Sequence, residues 1–228
     1  MAIINTDYSG ASFPKVHLEF VTPNAERFMG YVARVSNPSN QDNPKVAGLL
    51  KYCIKHGHWS VFEHAHMTLE VTTTLDIATQ ILRHRSFTFQ QLSRRYAGEA
   101  EAPLNIHLPH LRAPHPKNRQ KSVDELQSDT QLWFQAKLDE HFRQAEELYK
   151  AMLEHGVAKE CARAILPQAA ETTLYMTGNC RSWLHYIALR SANGTQEEHQ
   201  AVALKAKAIF REHFPSCAEA MDDLNWSI

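Results

Sequence analysis

HMTLEVTTTLDIATQILRHRSFTFQQLSRRY, residues 66–96, changes hydrophobic period part-way along. Over residues 66–74, Met67, Leu69 and Val71 alternate with Thr68, Glu70 and Thr72, which predicts a half-buried strand. From Leu75 the apolar residues Ala78, Ile81 and Leu82 fall at helical spacing, with Asp76 near the start. A strand feeding a helix implies a mixed fold. This helix is expected to run into Arg83-His84-Arg85 and to present them as a rigid unit. Upstream, VHLEFV at 16–21 reads as a short strand and residues 25–35 as a helix. From Pro44, the positions Val46, Leu49, Leu50, Cys53 and Ile54 follow helical spacing, with Pro44 in the first turn and Gly57 at the stop. Downstream, Pro103, Pro109, Pro114 and Pro116 forbid a long helix, and KNRQKS at 117–122 reads as an exposed tip. Residues 97–125 are therefore a mobile lid or a plain surface excursion. From about residue 126 the chain reads as almost all helix. Leu138, Phe142, Ala145, Tyr149 and Met152 make a core stripe ending near Gly156, a helix over 158–165 stops around Pro167, and another helical stretch follows. Residues 180–190 and 196–213 read as further helices. The expected class is α+β, with a small mostly antiparallel sheet, flanking helices and a helical C-terminal half, all in one domain over residues 1–228.

Composition narrows the partners. The chain has 228 residues, 43% apolar and 21% charged, with a formal net charge of −1. No global field draws it to nucleic acid or to a membrane surface, so any positive field is local. No apolar run approaches the roughly 18 residues of a membrane span, and MAIINTDYSGASFPKV lacks the pattern of a secretion signal. Cys53, Cys161, Cys180 and Cys217 are scattered, with no C-x-x-C pair, which suits reduced thiols in the cytoplasm.

Chemistry concentrates at residues 83–96. Arg83, Arg85, Arg94 and Arg95 lie there with Ser86, Gln90, Gln91, Ser93 and Tyr96. A guanidinium is permanently charged and offers a planar fork that phosphate oxygens accept bidentately. Three readings stand on the residues alone. The segment binds a phosphate-bearing ligand, or it is a solvated basic helix end, or Phe87, Phe89 and Tyr96 interleave with arginines to bind single-stranded nucleic acid. The near-zero net charge weighs against the last. His56, His58, His64 and His66 cluster as well, and His64 and His66 would share a strand face. No cysteine or aspartate nearby completes a metal set, so no metal is expected.

Arg83-His84-Arg85, then seven residues, then Ser93, followed by Arg95-Tyr96, resembles the R-H-R-x7-S signature of the flavin-dependent thymidylate synthases. Further segments resemble that family in the same order: A-R-V-S at 33–36, K-H-G-H-W-S-V-F-E-H at 55–64, A-R-A-I-L-P at 162–167, N-C-R-S at 179–182 and L-R at 189–190. The resemblance spans roughly residues 28–214. It implies a homotetramer with flavin and nucleotide sites shared between chains. It also implies FAD as cofactor, NADPH as reductant, methylenetetrahydrofolate as one-carbon donor and dUMP as the substrate converted to dTMP.

Carried over by position, the resemblance gives flavin contacts at His58, Ser60, Arg83, His84, Arg85, Gln91, Asn179, Cys180, Arg181 and His185. It gives dUMP contacts at Gln80, Ile81, Leu82, Arg83, Gln91, Leu92, Ser93, Arg94, Arg95, Arg163 and Arg190, part of them from a neighbouring chain. Arg190 is the implied catalytic residue, polarising the uracil ring. The sequence departs from the family pattern at Gly194, where a histidine is associated with it, and at Gln91 and His185, where glutamate and asparagine are common. Cys180 beside Arg181 is a rival nucleophile. Ser93 is another, although no base is evident near it in sequence. Trp59, Trp133 and Trp183 read as core or interface aromatics.

Overall fold

The computed structural model describes residues 13–98 and 100–227. Most of the opening segment read for a secretion signal lies outside them. Six strands and eight α-helices follow one another in these residues: β1 Lys15–Val21, α1 Ala25–Ala33, α2 Ala47–Lys55, β2 His66–Thr74, α3 Leu75–Ile81, β3 Thr88–Gln91, β4 Ala113–Pro114, β5 Ser122–Val123, α4 Ser128–Glu154, α5 Lys159–Ala162, β6 Glu171–Asn179, α6 Cys180–Arg190, α7 Glu197–His213 and α8 Pro215–Asp223. The fold is α+β, with an antiparallel four-stranded sheet in the order β1-β2-β6-β3 and a small β4-β5 pair. No helix of the described residues is long and apolar enough to cross a membrane.

The chain forms two compact units. One comprises the described parts of Met1–Lys15, Thr72–Ile81 and Gln91–Leu174; the other comprises Val16–Val71, Leu82–Gln90 and the described part of Tyr175–Ile228. Strands β2 and β6 each run from one unit into the other along their length.

Within the Thr72–Ile81 and Gln91–Leu174 unit, α4 supplies the core. Phe142 and Tyr149 are buried with Leu104, Ile106, Leu108, Ala162 and Ala170, and Leu138 and Met152 pack against them, as the stripe predicts. Here Thr72 and Thr173 hydroxyls meet across the sheet at 3.2 Å. The buried His107 pairs with the part-buried Glu171 at 2.8 Å, with the Asn105 amide donating to the same carboxylate at 3.2 Å and Phe13 stacked on the His107 ring at 3.7 Å.

In the second unit the β2 alternation holds, with Met67, Leu69 and Val71 buried. Thr68 meets Thr177 at 3.0 Å, and the Tyr175 hydroxyl donates to Glu70 at 2.7 Å. Such cross-strand pairs fix register. Trp183 is fully buried, and its indole N–H donates to the Met67 carbonyl at 2.9 Å, satisfying the polar end of a core aromatic. Gly57, at φ +70, follows the end of α2 in a conformation that only glycine adopts without strain.

Four expectations are corrected. Helix α3 stops at Ile81, so Arg83, His84 and Arg85 lie in the turn before β3 rather than on a rigid helix end. Phe87 is the reason: it is buried against Trp183 at 4.8 Å and Tyr186 at 5.9 Å, which pulls the chain inward and lets it enter β3. The helical stretch expected after Pro167 is instead β6, whose Thr172, Leu174, Met176 and Gly178 are buried at every second position. Pro44 lies before α2, outside it. His64 precedes β2, so it does not share a strand face with His66.

Candidate active site

Helix α6 organises the second unit's candidate site. Asn179 ends β6 and caps α6, its side-chain carbonyl accepting from the Ser182 N–H at 2.9 Å. Asparagine is a strong N-cap because it satisfies one of the orphan donors of the first turn. The Ser182 hydroxyl in turn donates to the Ser86 carbonyl at 3.2 Å, which ties the start of α6 to the turn that carries Arg83–Arg85. A cavity of about 590 Å³ opens beside this junction, lined by Trp59, Glu63, Ser86, Asn179, Arg181, Ser182 and His185. Its volume falls in the range of small-molecule sites.

Of the expected flavin contacts, Asn179, Arg181 and His185 line this cavity. Ser60 and His58 flank its Trp59, and both are exposed. Arg83 and Arg85 are exposed in the turn after α3. Cys180 is fully buried, and its backbone N–H donates to the Ala65 carbonyl at 2.8 Å. That burial leaves it unsuited to attack a substrate. The neighbouring Cys180 thiol first, then burial, push the Cys217 thiol well above the usual range.

Arg181 is paired with Glu63 at the cavity edge. Both are about half exposed, so the pair contributes little to stability and remains exchangeable for an anionic ligand. The cavity therefore offers an aromatic plane, a cation beside a carboxylate, an imidazole, two hydroxyls and one amide. Such a donor set fits a flavin nucleotide, whose ring is planar and whose phosphates are anionic.

At the far end of α6, Arg190 donates its Nε–H to Nε2 of His84 at 2.9 Å. Tyr186, one helical turn earlier, meets the His84 ring edge-on at 4.9 Å. Burial first, then the charges of Arg190 and His185, hold the His84 imidazole down to about 4.

The other unit carries most of the remaining expected nucleotide contacts. Gln80 and the buried Ile81 end α3, and Leu82, which belongs to the second unit, is exposed just beyond it. Gln91 donates to the Thr172 hydroxyl at 3.2 Å, and the Leu92 N–H to the Thr173 carbonyl at 2.9 Å. Ser93 sits at a turn where its backbone carbonyl accepts from Tyr96. Arg94 is buried and donates to the Ala102 and Pro103 carbonyls at 3.0 and 3.3 Å, so it braces the loop from inside. Arg95 pairs with Glu160 at 3.2 Å on the surface. Arg163 is exposed at the end of α5.

Sequence reasoning missed Trp59, Glu63, Ser86 and Ser182 as cavity residues. Trp59 was read as a core or interface aromatic. Glu63 lay inside a quoted motif without a role. Ser86 lay in the arginine-rich segment and Ser182 in N-C-R-S, but neither carried a role of its own before the turn and the helix start were brought together. Among the described residues no three His, Cys, Asp or Glu side chains converge to hold a metal ion.

The family model described as thymidylate synthase complementing protein matches residues 17–216. A probable flavin-dependent thymidylate synthase of Paramecium bursaria Chlorella virus 1 is 53% identical over 200 residues, covering 87% of this chain and 91% of that one. The flavin-dependent thymidylate synthase of Synechocystis sp. is 44% identical over 209 residues, covering 92% and 95%. Among solved structures, a UMP/dUMP methylase of Streptomyces cacaoi bound with 5-Br dUMP is similar, with a TM-score of 0.79 and 25% identity over 92% of this chain and 94% of its own. A signature over residues 83–93, a fold that matches over nearly its whole length and relatives of high identity agree: this chain belongs to the flavin-dependent thymidylate synthase family.

Proposed function

We propose that this protein is a flavin-dependent thymidylate synthase that methylates dUMP to dTMP, with FAD as cofactor, NADPH as reductant and methylenetetrahydrofolate as the one-carbon donor. The observation that carries the reading is the cavity of about 590 Å³ at the start of α6, whose lining includes three of the flavin contacts expected from sequence. When bound and reduced, the flavin supplies the reducing equivalents that complete the methyl group. Asn179, Arg181 and His185 hold it, with Trp59 as an apolar plane and Arg181 released from Glu63 to meet its phosphates. His58, Ser60, Arg83, His84, Arg85 and Gln91 complete its surroundings in the assembled protein. Cys180 contributes there only through the backbone.

Gln80, Ile81, Leu82, Arg83, Gln91, Leu92, Ser93, Arg95, Arg163 and Arg190 are the proposed dUMP contacts, contributed by more than one subunit of a homotetramer. Arg94, expected in the same set, supports the loop that carries the others. Arg190 does the electrostatic work. Bond formation at ring carbon C5 requires electron density there, and negative charge grows on the pyrimidine oxygens and N3. A guanidinium fixed against that edge stabilises the charge without reorganising. Lysine lacks the fork that makes this geometry. The chain acts as one catalytic domain, and its four free thiols suit the reducing cytoplasm.

The test is anaerobic turnover with dUMP, methylenetetrahydrofolate and NADPH, with and without added FAD. dTMP formation that requires flavin is expected, from a yellow protein. A colourless protein that takes up no FAD and instead binds oligonucleotides with a steep salt dependence would overturn the reading.

A further inference from the structure

The resemblance gives His84 a single task, contact with the flavin, yet its Nε2 is already engaged. Arg190 reaches it with Nε at 2.9 Å. Arginine has only donors, so Nε2 must be the unprotonated nitrogen and the His84 proton must sit on Nδ1. A protonated His84 could not make this bond. The surroundings enforce the neutral state: burial, then the Arg190 and His185 charges, hold His84 down to about 4.

The ring is clamped from two helices. Tyr186 on α6 meets it edge-on at 4.9 Å and 83°, and His199 on α7 does the same at 6.2 Å and 85°. Tyr186 and His199 also touch each other, at 5.8 Å. Tyr186 and Arg190 lie four residues apart on α6 and so share a face. His84, fixed in place by Tyr186 and His199, is thus a stationary acceptor under a long, flexible side chain. Taking Nε leaves the two Nη groups of Arg190 for a ligand and removes rotamer freedom that binding would otherwise have to freeze.

We propose that His84 is a positioning residue, whose Nε2 holds the Arg190 guanidinium in the orientation in which its Nη groups meet the pyrimidine. The proposal rests on the reading of the protein as a thymidylate synthase in which Arg190 faces that ring. It separates His84 from its neighbours Arg83 and Arg85: they are exposed, while His84 acts through another side chain. Any flavin contact of His84 is left to Nδ1–H or to the ring edge.

Three measurements test it on the full-length holoenzyme. The first compares His84→Phe, which keeps a flat ring and removes the acceptor, with His84→Gln, which places an acceptor near the Nε2 position. Bound flavin per chain and flavin reduction by NADPH are measured in both variants, so that the turnover of His84→Phe is read per reducible flavin. dUMP-dependent turnover should fall about 10- to 100-fold, the range set by a hydrogen bond to a charged group, and His84→Gln should recover most of it. The second is a double-mutant cycle: in an Arg190→Lys background, His84→Phe should cost dUMP affinity almost nothing further, because the two act as a unit. Turnover that merely tracks lost flavin in both His84 variants, or effects on dUMP affinity that simply multiply, would overturn the proposal. The third needs no substitution. Nitrogen-15 NMR of histidine-labelled wild-type protein should show His84 as the Nδ1–H tautomer near neutral pH, and the Nε2–H tautomer would sink the pair outright. Wild-type protein that forms no dTMP would refute the functional reading and the substrate-positioning role with it. The tautomer then tells whether the pair itself also failed.

Discussion

Replacing His199 with glutamine should flatten the acid limb of this protein's stability curve. His199 sits on α7, fully buried beside Tyr186 and His84. Burial first, then the Arg190 charge and then His84, hold its imidazole down to about 3, against an ordinary value of 6.5. The sign follows from proton counting. A base with a depressed folded-state pKa stays neutral in the native chain, while the unfolded chain binds a proton below about 6.5. Stability is therefore fully present above that pH and is lost as the pH falls toward 3. At about 1.4 kcal/mol per pH unit for each proton, the loss from His199 alone is roughly 2 kcal/mol between pH 7.5 and 5.0. His84, held down to about 4, adds a loss of the same sign and nearly the same size in this window, since both folded-state values lie below it. Urea unfolding followed by tryptophan fluorescence at several pH values in that window measures this. Taking the pH difference within each protein cancels the fixed cost of the substitution. His199→Gln should lose roughly 2 kcal/mol less than wild type, which at this chain length is about 4–8 °C in melting temperature. Parallel curves for the two proteins would show that His199 carries no depressed titration, and the argument for a neutral, buried imidazole cluster would fail.

Three further outcomes are expected. A Cβ at Gly178 would lie 2.5 Å from the Phe87 ring, so Gly178→Ala should destabilise the protein by about 1–3 kcal/mol through overpacking, seen in thermal unfolding. Arg181→Ala should leave the unfolding midpoint almost unchanged, since its pair with Glu63 is exposed, but should weaken FAD binding measured by quenching of flavin fluorescence; unchanged FAD affinity would remove Arg181 from the cofactor site. Cys180→Ala should keep most dTMP-forming activity, because the thiol is buried away from the cavity; loss of turnover with flavin still bound would restore it as a nucleophile.

Much of the site was legible because its chemistry is local in sequence. R-H-R-x7-S is read within one short segment and N-C-R-S within another, with His185 three residues on, so Asn179, Arg181 and His185 were expected together, and all three line one cavity. Alternation at Met67, Leu69 and Val71 fixed β2, because a sheet with one buried face demands period two. The same signal was present in Leu174, Met176 and Gly178 and was overridden by the helical character of the residues around it. β3 was hidden for a different reason: four arginines drew the reading toward charge, while Phe87, the residue that decides the backbone path, looked like an accessory.

What the sequence by itself determined is which side chains are able to carry chemistry and which faces are apolar, since both follow from residue type and spacing along one element. Tertiary structure alone decided what each cation does. Arg94 turns inward to loop carbonyls, Arg181 meets Glu63, and Arg190 is held by a histidine more than a hundred positions earlier. These assignments depend on which segments pack together. A guanidinium has the same charge and reach wherever it stands, so only its surroundings separate a brace from a ligand contact.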